Sequence, residues 1–161
     1  MELKGHLARL AGAGAAVAFA SSLLFGTTAS AQTASSPRAV HYQVVNGNSR
    51  NACLQVVITQ SGQGRLVLAT CERRAKQVWT IAGGVFKNPA TNQCLDGDGS
   101  AVYTQRCNTD GYQKWTTTSG SRKYIRHVKS GNYLHAGGGI GDRVGFRPST
   151  GTASRWVIGR V

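Results

Sequence analysis

The chain has 161 residues, and 19 Lys and Arg face only 6 Asp and Glu, for a net charge of +13. That length leaves room for one small domain rather than several, and the 21 glycines argue against long helices. The charge excess draws anionic partners by long-range attraction and says nothing specific about a site.

The chain opens "MELKGHLARL", then "AGAGAAVAFASSLLFG", then "TTASAQ". A basic start, a short apolar middle and the small-residue site at Ala29 to Ala31 predict a secretory signal over residues 1–31. The apolar run is too short and too rich in Gly and Ala to read as a membrane span. Residues 32–40, "QTASSPRAV", read as a flexible lead-in, and residues 41–161 as the folded domain. No transmembrane segment is expected after signal cleavage, and the expected product is a secreted monomer.

From His41 onward the chain reads as short strands. "HYQVV", "LQVVI", "RLVLAT", "VWTIA", "AVYTQ", "KWTTT" and "KYIRHV" are rich in β-branched and aromatic residues. Turns interrupt them at "NGN", "SGQG", "AGG", "DGDG", "SGS", "KSGN" and "GGGIG". Past the signal segment, no window carries a sustained apolar stripe at helical period.

One pattern recurs three times. Cys53, Cys94 and Tyr133 each precede a leucine, at Leu54, Leu95 and Leu134. Cys71, Cys107 and Phe146 align next, followed by Trp79, Trp115 and Trp156, the only three tryptophans of the chain. The first two units end in Gln-x-Trp, "QVW" and "QKW", and the third in "SRW". A unit this short buries too little apolar surface alone, so three copies packed around shared leucines and tryptophans are expected. The fold class is therefore all-β with three internal repeats, at about residues 41–80, 81–116 and 117–161. Four cysteines in an exported chain imply two disulfides, with three pairings open. Their spacing lacks C-x-x-C pairs and has no histidine at ligand spacing, so no metal and no cofactor is expected.

Cys-Leu, a second Cys and then Gln-x-Trp, repeated in threes, resembles the ricin B-type lectin module, a β-trefoil. The resemblance covers residues 41–161. It implies disulfides within each unit, Cys53–Cys71 and Cys94–Cys107, and a contact between Tyr133 and Phe146 in place of a third. It also implies a sugar site in each unit, with an Asp after Cys-Leu, an aromatic two residues before the second Cys, and an Asn before the Gln of Gln-x-Trp. The first unit offers Gln55 and Ala69 there, with Ala75 and Lys76 nearby, and the third offers His135, Val144, Ala153 and Ser154, so both sites look lost. The middle unit keeps Asp96 and Gln113, but Gln105 and Tyr112 stand where an aromatic and an Asn are usual. Tyr103 and Tyr112 could supply a stacking face. Carbohydrate binding by one incomplete site at Asp96, Tyr103, Gln105, Tyr112 and Gln113 is the leading expectation, and replacing Asp96 by Ala should leave stability nearly unchanged.

Asp96 has two competing readings. It is either the ligand carboxylate or a turn Asp bonded to its own backbone. "DGDGS" also aligns Asp96, Asp98 and Ser100 with the first oxygens of a calcium loop, but Cys107 falls where the closing Glu belongs.

An alternative function rests on charge. Arg73, Arg74 and Lys76 cluster in "CERRAK", and Arg122, Lys123, Arg126 and Lys129 in "SRKYIRHVK". Such a surface suits anionic polysaccharides or cell-envelope polymers, with nucleic acid held only non-specifically. An enzyme is not expected: there is no G-x-S-x-G elbow, no H-E-x-x-H and no carboxylate pair that the sequence places across a cleft.

Overall fold

The computed structural model describes residues 38–161. The expected signal over residues 1–31, and the lead-in up to residue 37, lie outside the described residues.

Twelve antiparallel strands follow in chain order: β1 His41–Asn46, β2 Ala52–Ile58, β3 Gly64–Thr70, β4 Trp79–Ala82, β5 Val85–Asn88, β6 Gln93–Gly97, β7 Val102–Arg106, β8 Trp115–Thr117, β9 Lys123–His127, β10 Tyr133–His135, β11 Gly145–Arg147 and β12 Arg155–Arg160. Four strands make one repeat. The first and last strands of the repeats form a ring, in which β1 pairs with β4 and β12, β4 with β5, β9 with β8 and β12. The Trp115 amide donates to the Gly84 carbonyl at 2.8 Å, joining the β4–β5 turn to β8 and closing the ring. The middle strands make three hairpins, β2–β3, β6–β7 and β10–β11. This is the three-repeat β-trefoil that the sequence predicts, with only two short 3-10 turns, Ala75–Gln77 and Thr152–Ser154, among the described residues.

Period-two alternation sets which face is buried. On β3, Leu66 and Leu68 point inward while Arg65 is exposed. On β9, Ile125 and His127 are buried and Arg126 is exposed. The three tryptophans are buried completely or nearly so, each removing on the order of 200 Å² from water. Each indole Nε1–H donates to the carbonyl of its own repeat's leucine: Trp79 to Leu54 at 3.2 Å, Trp115 to Leu95 at 3.0 Å and Trp156 to Leu134 at 2.9 Å. One bond, made three times, ties the end of each repeat to its hairpin.

Two hairpins are also tied covalently, by Cys53–Cys71 and Cys94–Cys107. The third repeat departs from expectation. Phe146 pairs with Leu134, not with Tyr133, whose partner is Arg147. A one-residue offset sends a side chain to the opposite face. Phe146 therefore stacks on Trp115 at 5.7 Å, whereas Tyr133 meets Tyr124 edge-on at 5.8 Å. The expected Tyr133–Phe146 contact is replaced by one between repeats. Gly97 permits it, because a Cβ there would collide with the Phe146 ring.

Candidate functional site

The hairpin registers align the three repeats position by position. Gln55 faces Val67, Asp96 faces Tyr103 and His135 faces Gly145. Two residues further along, Ala69, Gln105 and Arg147 are equivalent. The third repeat's counterpart of Gln105 is thus Arg147, correcting the expected Val144. Spacing misleads here because the connection between β10 and β11, residues 136–144, is longer than those between β2 and β3 (59–63) and between β6 and β7 (98–101).

At Asp96 the geometry is closed. The residue is fully buried, and Oδ2 accepts from Gln105 Nε2 and Gln113 Nε2, both at 2.7 Å. Gln113 also donates to the Arg106 carbonyl at 3.0 Å, while its own Oε1 accepts from the Asn108 amide at 2.9 Å. Asp96 Oδ1 has no hydrogen-bond partner among the described residues. Neither sequence reading describes this fully: Asp96 does not bond its own backbone, and it is not open to solvent. Its neighbour Asp98 is the turn residue, accepting at Oδ1 from the Ser100 amide, the Ser100 hydroxyl and the Ala101 amide at 2.7–2.8 Å. Those bonds, the one from Ala101 first, hold the Asp98 carboxyl below the usual carboxylate range. The calcium-loop oxygens therefore serve different ends, one core and one turn.

The tyrosines divide as well. Tyr103 faces Asp96 across the hairpin. Burial first, then the charges of Asp96 and Asp98, push its phenol up, so it stays a hydroxyl donor. Tyr112 makes no hydrogen bond to that carboxylate among the described residues. Its ring stacks on His127 with centroids 6.4 Å apart and carries the Lys129 ammonium 3.5 Å from its centroid. The structure thus gathers Asp96, Tyr103, Gln105 and Gln113, while the Tyr112 ring packs against His127 and Lys129.

The other two repeats keep the same scaffold with different chemistry. Gln77 donates to Gln55 at 2.9 Å and to the Thr70 carbonyl at 2.7 Å, matching Gln113 bond for bond. This pair borders a cleft of about 220 Å³ that also holds Glu72 and Arg74. In the third repeat, Arg147 Nε donates to His135 Nε2 at 3.2 Å, and Ser154 lies 3.5 Å from His135 Nδ1. Burial first, then Arg147, lowers the pKa of His135.

The basic residues fall in two groups along the chain. Arg73, Arg74 and Lys76 are exposed around the first 3-10 turn, and Arg74 is ion-paired with Glu72. On and beside β9, Lys123 Nζ folds onto the Gly120 carbonyl at 2.8 Å and Arg126 Nε onto the Gly131 carbonyl at 3.0 Å. Lys129 is over Tyr112, and Arg122 lines a separate cleft with Arg50. No hydrogen bond, ion pair or ring contact among the described residues joins the two groups. Sequence reasoning missed Arg50 and Arg65; for Arg65 the signal was present, as the outward position of an alternating strand.

The model of the ricin-type β-trefoil lectin domain matches residues 40–156. The chain belongs to that family. This ricin-type domain is similar in structure to a designed threefold-symmetric protein, ThreeFoil, with a TM-score of 0.66, 16% identity, and 75% of this chain and 99% of that one covered. It is similar to the C-half of an earthworm R-type lectin in complex with GalNAc, with a TM-score of 0.61, 12% identity, and 76% and 99% covered. It also resembles part of an exo-β-1,3-galactanase from Clostridium thermocellum, with a TM-score of 0.67 and 21% identity, covering 78% of this chain but 31% of the enzyme. At these identities the likeness is one of fold. No curated protein sequence matches the chain.

Proposed function

We propose that the protein is a secreted carbohydrate-binding module without catalytic activity of its own, and that its middle repeat supplies the sugar site. The observation that carries this reading is the Oδ1 of the buried Asp96, unpartnered among the described residues. A buried carboxylate oxygen without a donor costs stability, and a sugar hydroxyl is a donor of the right kind. Gln105 and Tyr103, each half-buried, lie over this carboxylate and would move aside or join the ligand. Family membership supports the ligand class, and two disulfides fit export to an oxidising compartment.

A second reading has its own support. Arg73 and Lys76 are exposed and make no ion pair among the described residues, so the surface can attract acidic polymers at the cell envelope without a sugar pocket.

A glycan array probed at about 0.15 M and about 0.5 M salt separates the two, because screening is far stronger at the higher value. Selective neutral-glycan binding that survives high salt and is lost in Asp96→Ala supports the middle-repeat site. Binding confined to acidic polymers and lost at high salt supports the second reading.

A further inference from the structure

The loop ends of the hairpins meet where β3 pairs with β7, at Gly64–Thr104 and Arg65–Tyr103. The segment leading into β11 lies against the same hairpin. The Leu68 amide donates to the Asp142 carbonyl at 2.9 Å, and the Val144 amide to the Leu66 carbonyl at 3.0 Å. The backbone between them bridges Val67 to Arg143, so Arg143 is fixed through its main chain while its side chain is exposed. Two clefts flank it. One of about 280 Å³ is lined by Arg65, Asp98, Tyr103 and Arg143 with Thr59 and Gln63, and one of about 360 Å³ by His135, Arg143 and Gly145. They share Ala101, Val102 and Arg143 as a common wall.

We infer that these paired clefts are a binding site for an acidic carbohydrate chain, with Arg65 and Arg143 holding its carboxylate or sulfate groups. The ligand class rests on the glycan-binding reading above, but the site does not require that Asp96 bind sugar. Neither guanidinium makes a side-chain hydrogen bond, ion pair or ring contact among the described residues, in contrast to Arg74, Arg126, Arg147 and Arg155. Two free planar forks on one cleft suit bidentate anion recognition. Asp98 adds a discriminating element. Three donors occupy its Oδ1, and its Oδ2 accepts none among the described residues. A carboxylate in the cleft accepts sugar hydroxyls, which an acidic polysaccharide carries at every unit and an internal deoxynucleotide lacks. Tyr103, kept protonated, is an added donor and the only aromatic ring of the first cleft. Nucleic acid would call for a run of stacking platforms, and the lining does not hold one. A chain alternating acidic groups with hydroxyls fits this mixture better than a nucleic acid does.

The test is titration calorimetry of the full folded domain with a hexamer of galacturonic acid at about 0.15 M salt. In the double variant Arg65→Ala/Arg143→Ala, loss of two charge-assisted contacts is expected to weaken binding about tenfold or more. Gly145→Leu narrows the second cleft without touching charge, since nothing lies within 4 Å of a Cβ there, and is expected to weaken binding too. Arg73→Ala/Lys76→Ala removes the same charge elsewhere and is expected to change affinity less than twofold. Equal losses in the two double variants, or no loss in Gly145→Leu, would overturn the site in favour of diffuse attraction. Tighter, Arg65- and Arg143-dependent binding of a single-stranded oligonucleotide would overturn the ligand class. Neutral hexasaccharides measured alongside report on the Asp96 site, so failure of one reading is distinguishable from failure of the other.

Discussion

Gln113 Nε2 donates to Asp96 Oδ2 at 2.7 Å, so the glutamine of Gln-x-Trp holds the acidic residue that follows Cys-Leu. Gln77 holds Gln55 in the same way at 2.9 Å. The motif residue therefore orients whatever side chain occupies the site position, and chemistry varies from repeat to repeat on a constant frame. Because Asp96 is fully buried, its removal affects more than binding. Asp96→Ala leaves Gln105 without its partner and opens a void, and is expected to cost about 1–3 kcal/mol. Urea titration of the purified variant checks this, and unchanged stability would restore the exposed-ligand picture that the sequence suggested.

The indole bonds make a parallel prediction for each repeat. Replacing Trp156 by Phe removes the donor to the Leu134 carbonyl, a buried group with a bond of 2.9 Å. The cost is expected at about 2–4 kcal/mol, from lost area and an orphaned acceptor. Trp79→Phe and Trp115→Phe lose the same bond, but disulfides brace their hairpins. Thermal melts of the three variants should therefore rank Trp156→Phe lowest.

The two disulfides close loops with sequence separations of 18 and 13. In the chain-entropy description each stabilises by about 3 kcal/mol, and the small length difference hardly matters. Their functional weight differs. Cys107 adjoins Asn108, whose amide donates to Gln113 at 2.9 Å. Cys94→Ser/Cys107→Ser is thus expected to lower both stability and neutral-glycan affinity, whereas Cys53→Ser/Cys71→Ser lowers stability alone. Equal affinities in the two double variants, measured below their melting temperatures, would separate Asp96 from glycan binding.

Much of the fold was legible because threefold packing repeats its anchors: the leucines and tryptophans named from spacing are the buried residues that bond one another. Less of the sheet was visible. Strand β6, "QCLDG", reads as the edge of a turn because Asp96 and Gly97 are poor strand formers, yet pairing with β7 carries the strand through both. Strands β10 and β11 are three residues each, too short for alternation to register. The site was half legible. Asp96 and Gln113 stood out by position, but their burial did not, because burial depends on Gln105 and Tyr103 folding across from the next strand. For the basic residues, alternation already puts Lys123 and Arg126 on opposite faces of β9, but the backbone carbonyls on which both side chains end are invisible in "SRKYIRHVK".

His127 gives the pH prediction. Its ring is buried between repeats, 4.9 Å from the Trp115 ring and 5.3 Å from that of Phe146 by centroids. Nε2 donates to the Tyr112 carbonyl at 2.9 Å, so Nδ1 is left to accept from the Ser130 hydroxyl at 2.8 Å and the Ser130 amide at 3.3 Å. Burial lowers its pKa most, and Lys129 adds to this; the Tyr112 carbonyl and the charges of Asp96 and Asp98 oppose them. A second proton would have to enter at Nδ1, against the Ser130 amide. With the folded pKa below the unfolded value of about 6.5, the unfolded chain binds more protons in the window between them. Stability is then complete above about pH 6.5 and falls as the pH drops through that window. His135, lowered as well by burial and Arg147, adds a contribution of the same sign. His127→Gln preserves hydrogen-bonding capacity but cannot titrate, so its melting temperature is expected to fall less between pH 7 and pH 5 than that of the parent. Parallel melting curves across that range would mean that His127 takes up its proton without loss of the fold.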